Sequence, residues 1–124
     1  MSASRSESSI AELTRIVRAF VDSRDWQQFH TARNLVLALV GEIGELAAEF
    51  QWIGDDEVVN ALQNPTKLEE VGSELADVFI YLLRLADVTG IDLAEELKKK
   101  LAINEERYPA DKAKGSAAKY TAYE

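Results

Sequence analysis

Apolar positions recur along this chain at helical spacing, and nowhere do they alternate in the period-two manner of a strand. Ile10, Leu13, Ile16, Val17, Phe20 and Val21 fall on one face of a first helix, over about residues 10–21, with Glu12, Arg15 and Arg18 opposite. Asp22-Ser23-Arg24-Asp25 interrupts that pattern, and a short stretch from Trp26 to His30 leads on. A second helix is predicted over about 32–52, with Thr31 placed to cap it. Its first half, Leu35 to Val40, is apolar on every side, as in a helix buried on more than one face. Residues 54–65 read as a connection with a weak helical turn in 57–62. The third helix is expected over about 67–89, opened by a Thr66/Glu69 capping-box pattern and closed by Gly90. The fourth starts at Asp92, with Glu95 three residues on, and stops before Pro109. The class is all-α: residues 1–9 as a disordered N-terminal segment, 10–109 as one helical domain, 110–124 as an irregular tail.

Composition narrows the function. One domain fits 124 residues, and 47% hydrophobic residues can supply a core. The absence of cysteine removes disulfides and thiolate metal sites, and the single histidine, His30, removes any site needing two imidazoles from one chain. A net charge of −8 argues against a nucleic-acid surface, although a bridging cation still lets an acidic protein hold phosphate. The longest apolar run is far too short to span a bilayer, and the polar start lacks the basic-then-apolar order of a signal peptide. A cytoplasmic protein with neither nucleic-acid nor membrane partner is expected.

The chemistry lies in two acidic pairs. Glu42 and Glu45 on the second helix, and Glu74 and Asp77 on the third, are each spaced i, i+3, so each pair shares a face. Leu39, Val40, Ile43 and Leu46 flank one pair, and Val71, Leu75, Val78 and Phe79 the other. Helices that bury these neighbours bring the acids to a helix–helix seam. Two like charges about 4 Å apart repel by roughly 4 kcal/mol at a surface-like dielectric, against a domain stability of about 5–15 kcal/mol. Such a cluster needs protons, salt bridges or cations. No lysine or arginine lies one turn from Glu42 or Glu45, and on the third helix the nearest are Lys67 and Arg84, each seven residues from a motif member. A hard divalent cation, Mg²⁺ or Mn²⁺, is the better neutraliser for an all-oxygen donor set. The competing reading, ordinary solvated acids, stands at even weight on pattern alone. Gly41 and Gly44 bracket Glu42 at a cost of about 1 kcal/mol each inside a helix, which a close ligand or tight helix packing would explain equally well.

Further segments carry a resemblance. Arg24-Asp25-Trp26-Gln27-Gln28-Phe29-His30, the run from Ala38 to Ala47 around Gly41-Glu42-Ile43-Gly44-Glu45, Phe50-Gln51-Trp52, Glu74-Leu75-Ala76-Asp77-Val78-Phe79-Ile80-Tyr81, Lys100 with Ile103-Asn104-Glu105-Glu106-Arg107-Tyr108-Pro109, and Lys119-Tyr120-Thr121 together resemble the dCTP pyrophosphatase branch of the MazG-like nucleotide pyrophosphohydrolases. The resemblance implies a four-helix chain completed by homo-oligomerisation, as a dimer or tetramer. It implies Mg²⁺-dependent cleavage of a nucleoside triphosphate to monophosphate and pyrophosphate. It makes Glu42, Glu45, Glu74 and Asp77 the metal ligands, matches Trp26, Trp52 and Tyr81 to the walls of a nucleoside pocket, and matches Lys100 and Asn104 to residues that reach the nucleotide. Where animal members carry a pocket histidine early in the first helix, this chain has Val17.

In that chemistry Glu45 or Glu42 would orient or deprotonate the attacking water, and Lys100 and Arg107 would neutralise outer phosphates. Without the resemblance, Trp26 and Trp52 would sooner be packing residues, and Tyr81 a half-buried helix tyrosine. His30 reads as a loop anchor rather than a ligand. The substrate expected is dCTP or a modified dCTP, in clearance of unwanted nucleotides. The alternatives are the same chemistry on dUTP or a damaged purine triphosphate, and a non-catalytic helical oligomerisation module.

Overall fold

The computed structural model describes residues 8–123, whose regular structure is all helical, with no strand among these residues. These residues form six helices, α1 (Ile10–Asp22), α2 (Ala32–Ala48), α3 (Asp55–Ala61), α4 (Pro65–Thr89), α5 (Leu93–Arg107) and α6 (Ala110–Ala113), with one 3₁₀ turn between α1 and α2 at Gln27–Phe29 and another after α6 at Tyr120–Tyr123. They form two compact units, divided after Gly90.

In the first unit α2 packs along α4, and α1 packs on α4 from its own side. Local signals set each boundary. Ser9 accepts from the Glu12 N–H at 3.1 Å and Thr31 from the Asn34 N–H at 3.1 Å, the hydroxyl caps that satisfy first-turn donors. Most of the segment expected to be disordered, residues 1–7, lies outside the described residues, and Ser9 is the α1 cap. The start of α4 differs from the predicted capping box. Asn64 accepts from the Thr66 N–H at 2.9 Å, and Pro65, with its preset φ, opens the helix two residues earlier than expected. Gly90 ends α4 at φ +71°, a left-handed cap that a side chain would strain. The second helix stops at Ala48 instead of reaching Trp52, because residues 49–53 turn back through i→i+3 bonds. The weak turn in the connection is a full helix, α3, opened by Asp55, Asp56 and Glu57, acids suited to a helix N-terminus.

Val21, Leu35, Val71, Leu83 and Ala86 are buried. Much else apolar is not. Val36, Leu37, Val40 and Ile43 on α2, and Leu68, Leu75 and Phe79 on α4, remain exposed.

The second unit comprises α5 and the segment after it. Asp92 caps α5 by accepting from the Glu95 N–H at 3.1 Å. The tail expected to be irregular is ordered into α6 and the second 3₁₀ turn. Tyr108 meets the rings of Tyr120 and Tyr123 edge-on, at centroid distances of 6.2 and 6.1 Å, and the Arg107 guanidinium lies 4.7 Å above the Tyr120 ring.

Candidate active site

Helical spacing on α2 and α4 brings acids together across their seam. Glu42, Glu74 and Asp77 each offer a carboxylate oxygen within 4.8 Å of the others, all three half-buried. Glu45 is exposed and stands outside that group of three, one turn along α2 from Glu42, and its charge still acts on Glu74. Oε2 of Glu74 is buried and has no hydrogen-bond partner. An unpaired buried carboxylate oxygen is costly, so it marks a place where something cationic or protonic belongs. Burial first, then the charges of Glu42, Asp77, Glu45 and Glu49, hold the Glu74 carboxyl above its ordinary value.

The two cations nearest in sequence serve other partners. Lys67 Nζ donates to the backbone carbonyl and to Oε2 of Glu49, both at 2.6 Å. Arg84, 4% exposed, gives Nη1 to Asp87 Oδ2 at 2.9 Å and Nε to His30 Nδ1 at 3.1 Å. Among the described residues, none of Glu42, Glu45, Glu74 and Asp77 forms an ion pair. A donor set of carboxylate oxygens alone, with one oxygen orphaned and no basic neighbour, fits a hard divalent cation. A Cβ built on Gly41 or Gly44 meets nothing within 4 Å, so packing inside the chain does not explain these glycines.

Tyr81 is half-buried on α4, one turn beyond Asp77. Trp26 precedes the first 3₁₀ turn, packs edge-on against Phe20 at 5.9 Å, and is partly exposed. Trp52 follows α2 and is 87% exposed. Lys100, Asn104 and Arg107 fall at i, i+4 and i+7 on α5, in the second unit. The carbonyl of Asn104 accepts from the Tyr108 N–H at 2.8 Å. Glu106, Arg107, Tyr120 and Tyr123 line a shallow cleft there.

The MazG-like family model matches residues 38–122, a stretch that contains both acidic pairs. The chain belongs to the MazG-like family. Among its MazG-like relatives, dCTP pyrophosphatase 1 of Bos taurus is 43% identical over 116 residues, covering 94% of this chain and 69% of the relative. Similarly, dCTP pyrophosphatase 1 of Homo sapiens is 44% identical over 115 residues, or 93% of this chain and 68% of the human protein. The crystal structure of a pyrophosphatase from Archaeoglobus fulgidus superposes with a TM-score of 0.76 at 39% identity, over 87% of this chain and 99% of that one.

Two features of the region were not legible in sequence. The Arg84–His30 bond joins residues 54 apart, and the Lys67–Glu49 pair joins residues 18 apart, so no local spacing announces either.

Proposed function

We propose that this MazG-like chain is a nucleoside triphosphate pyrophosphohydrolase that converts dCTP, or a modified dCTP, to the monophosphate and pyrophosphate. The likeness to mammalian dCTP pyrophosphatases supports the substrate. The observation that carries the chemistry is the orphaned Glu74 oxygen inside a carboxylate group that forms no ion pair among the described residues.

Glu42, Glu45, Glu74 and Asp77 are the residues assigned to hold Mg²⁺, with Mn²⁺ as a substitute. When bound, the ion offsets the like charges of carboxylates and triphosphate and supplies Lewis acidity. The chain's own residues do the rest. Glu45, exposed and outside the group of three, is the residue assigned to orient an attacking water and accept its proton, with Glu42 the other candidate. The water oxygen bonds to phosphorus as the anhydride P–O bond between the α- and β-phosphates breaks, giving the monophosphate and pyrophosphate. Trp26 and Trp52 present exposed rings on which a base stacks, worth about 1–3 kcal/mol per base, and Tyr81 completes the wall one turn from Asp77. The resemblance matches Lys100 and Asn104 to residues that reach a nucleotide, and Arg107 is the further candidate to neutralise an outer phosphate.

The exposed Val36, Leu37, Val40 and Ile43 favour a homo-oligomer, since a monomer would leave this aliphatic surface in water. Among the described residues no helix is long and apolar enough to cross a membrane. The setting this reading implies is the cytoplasmic nucleotide pool, where the reaction removes unwanted triphosphates.

Pyrophosphate release from a panel of nucleoside triphosphates tests the reading. dCTP should rank first, EDTA should abolish turnover, and Mg²⁺ should restore it. Glu74→Gln should lose turnover with its helical circular dichroism intact, and retained turnover would remove the metal assignment. A panel led by dUTP would move the substrate, and a flat one would leave a helical oligomerisation module.

A further inference from the structure

His30 closes the 3₁₀ turn that follows Trp26. That turn is tied at both ends. The Trp26 N–H donates to the Val21 carbonyl at 3.1 Å, at the end of α1, and Asn34 Nδ2 donates to the Phe29 carbonyl at 3.0 Å, at the start of α2. Inside it, the Phe29 N–H bonds to the Trp26 carbonyl at 2.9 Å and the His30 N–H to the Gln27 carbonyl at 3.1 Å. The link to α4 runs through a side chain: Arg84 Nε donates to His30 Nδ1. A guanidinium can only donate, so Nδ1 is the acceptor, and the neutral imidazole carries its proton on Nε2. Arg84 is itself locked. Asp87 takes its Nη1 and is held from the other side by Arg18, whose Nε and Nη2 bind the two Asp87 oxygens at 2.8 and 2.5 Å.

From this chain of contacts we infer that Arg84 is a positioning residue for the nucleoside: it fixes His30 as the Nε2–H tautomer and so pins the Trp26–His30 turn to the helix that carries Glu74, Asp77 and Tyr81. The inference rests on the pyrophosphohydrolase reading, in which Trp26 stacks on the base. Arg84 sits seven residues, two helical turns, beyond Asp77 and one turn beyond Tyr81, so it sets where the stacking ring stands relative to the acids. Two guanidinium groups already share one carboxylate here, so a protonated His30 would be a third cation. Burial and the Arg84 charge both hold its ring below the ordinary histidine value, in keeping with a neutral acceptor.

Histidine occurs once in the chain, so one long-range ¹H–¹⁵N spectrum of this chain reports the tautomer without ambiguity. The wild type should show a single Nε2–H form. Arg84→Met should release His30 into a mixture of tautomers and raise its pKa. It should raise KM for dCTP by about three- to tenfold while kcat and Mn²⁺ affinity change less than about twofold, the pattern of lost binding common to ground and transition states. Should Arg84→Met fail to fold, Arg84→Lys decides by the same readings, since a lysine keeps the charge beside Asp87 and lacks the forked donor. A freed His30 with unchanged KM, or a tautomer that survives the loss of Arg84, would overturn the role, as would a joint collapse of kcat and Mn²⁺ affinity. A wild type inactive on every nucleotide would sink the pyrophosphohydrolase reading and this role together. An active wild type with an indifferent variant would sink this role alone.

Discussion

Asp87→Ala is expected to be among the more damaging single changes available outside the acid cluster. Asp87 is 15% exposed by side chain and serves two arginines of different standing. Arg18 is half-exposed and rehydrates when its partner goes, so that arm contributes little, as for other surface pairs. Arg84 is 4% exposed and would keep only the neutral His30 ring as acceptor. Stranding one member of a buried pair costs about 3–5 kcal/mol, so the loss should come almost wholly through Arg84. With a urea m value of about 1–3 kcal/mol/M, the midpoint should fall by about 2 M, read by far-UV circular dichroism with all variants at one protein concentration. Arg18→Ala should move the midpoint far less than Asp87→Ala, and the double variant Arg84→Met/Asp87→Ala should recover part of the loss, because the stranded charge has gone. The pH dependence follows. The hydrogen bond from Arg18, with the charges of Arg18 and Arg84, holds the Asp87 carboxyl below its ordinary value against the opposing effect of burial. A depressed carboxyl gives stability that is full above the unfolded-state value and is lost as pH falls through the folded one. That acid-side loss should disappear in Asp87→Asn. An Asp87→Ala cost no greater than that of Arg18→Ala would refute the reasoning, since the buried guanidinium would then need no countercharge.

Two further outcomes follow from packing. Gly72 lies inside α4 with open space for 4 Å around the point where a Cβ would stand, so Gly72→Ala should raise stability by about 0.5–1 kcal/mol, and a lowered thermal midpoint would mean that another chain approaches there. Val40→Lys places a charge on the exposed aliphatic face of α2; it should lower the mass found by light scattering while leaving the helical signal, and an unchanged mass would place the subunit interface elsewhere.

What sequence made legible was whatever depends on near neighbours. The Thr31 and Asp92 caps were readable because a capping side chain bonds a backbone N–H three residues on. The i, i+3 acids were readable because helical spacing alone puts each pair on one face, and the α2–α4 packing then brings Glu42 to Glu74 and Asp77. The start of α4 was misplaced because Asn64-Pro65 competes with Thr66 as an opening signal, and the proline prevailed. Order in the tail was missed because its ring contacts pair Tyr108 with Tyr120 and Tyr123, across a composition of Ala, Lys and Ser that carries no periodicity. Arg84 was visible in sequence only as a distant candidate to neutralise the acids. Its engagement with Asp87 and His30 depends on how α1, α4 and the turn at Trp26 meet.

Lys67 gives the acidic seam a bookkeeping of its own. Five carboxylates stand along it, from Glu42, Glu45, Glu49, Glu74 and Asp77, and Glu49 is among those whose charge reaches Glu74. Because the Lys67 ammonium clasps Glu49, the seam presents a formal −4 rather than −5 (five acids less one paired). A lysine that touches none of the four assigned ligands thus sets the electrical load an incoming ion meets, and a modification that neutralised its amine would change that load without altering a single ligand.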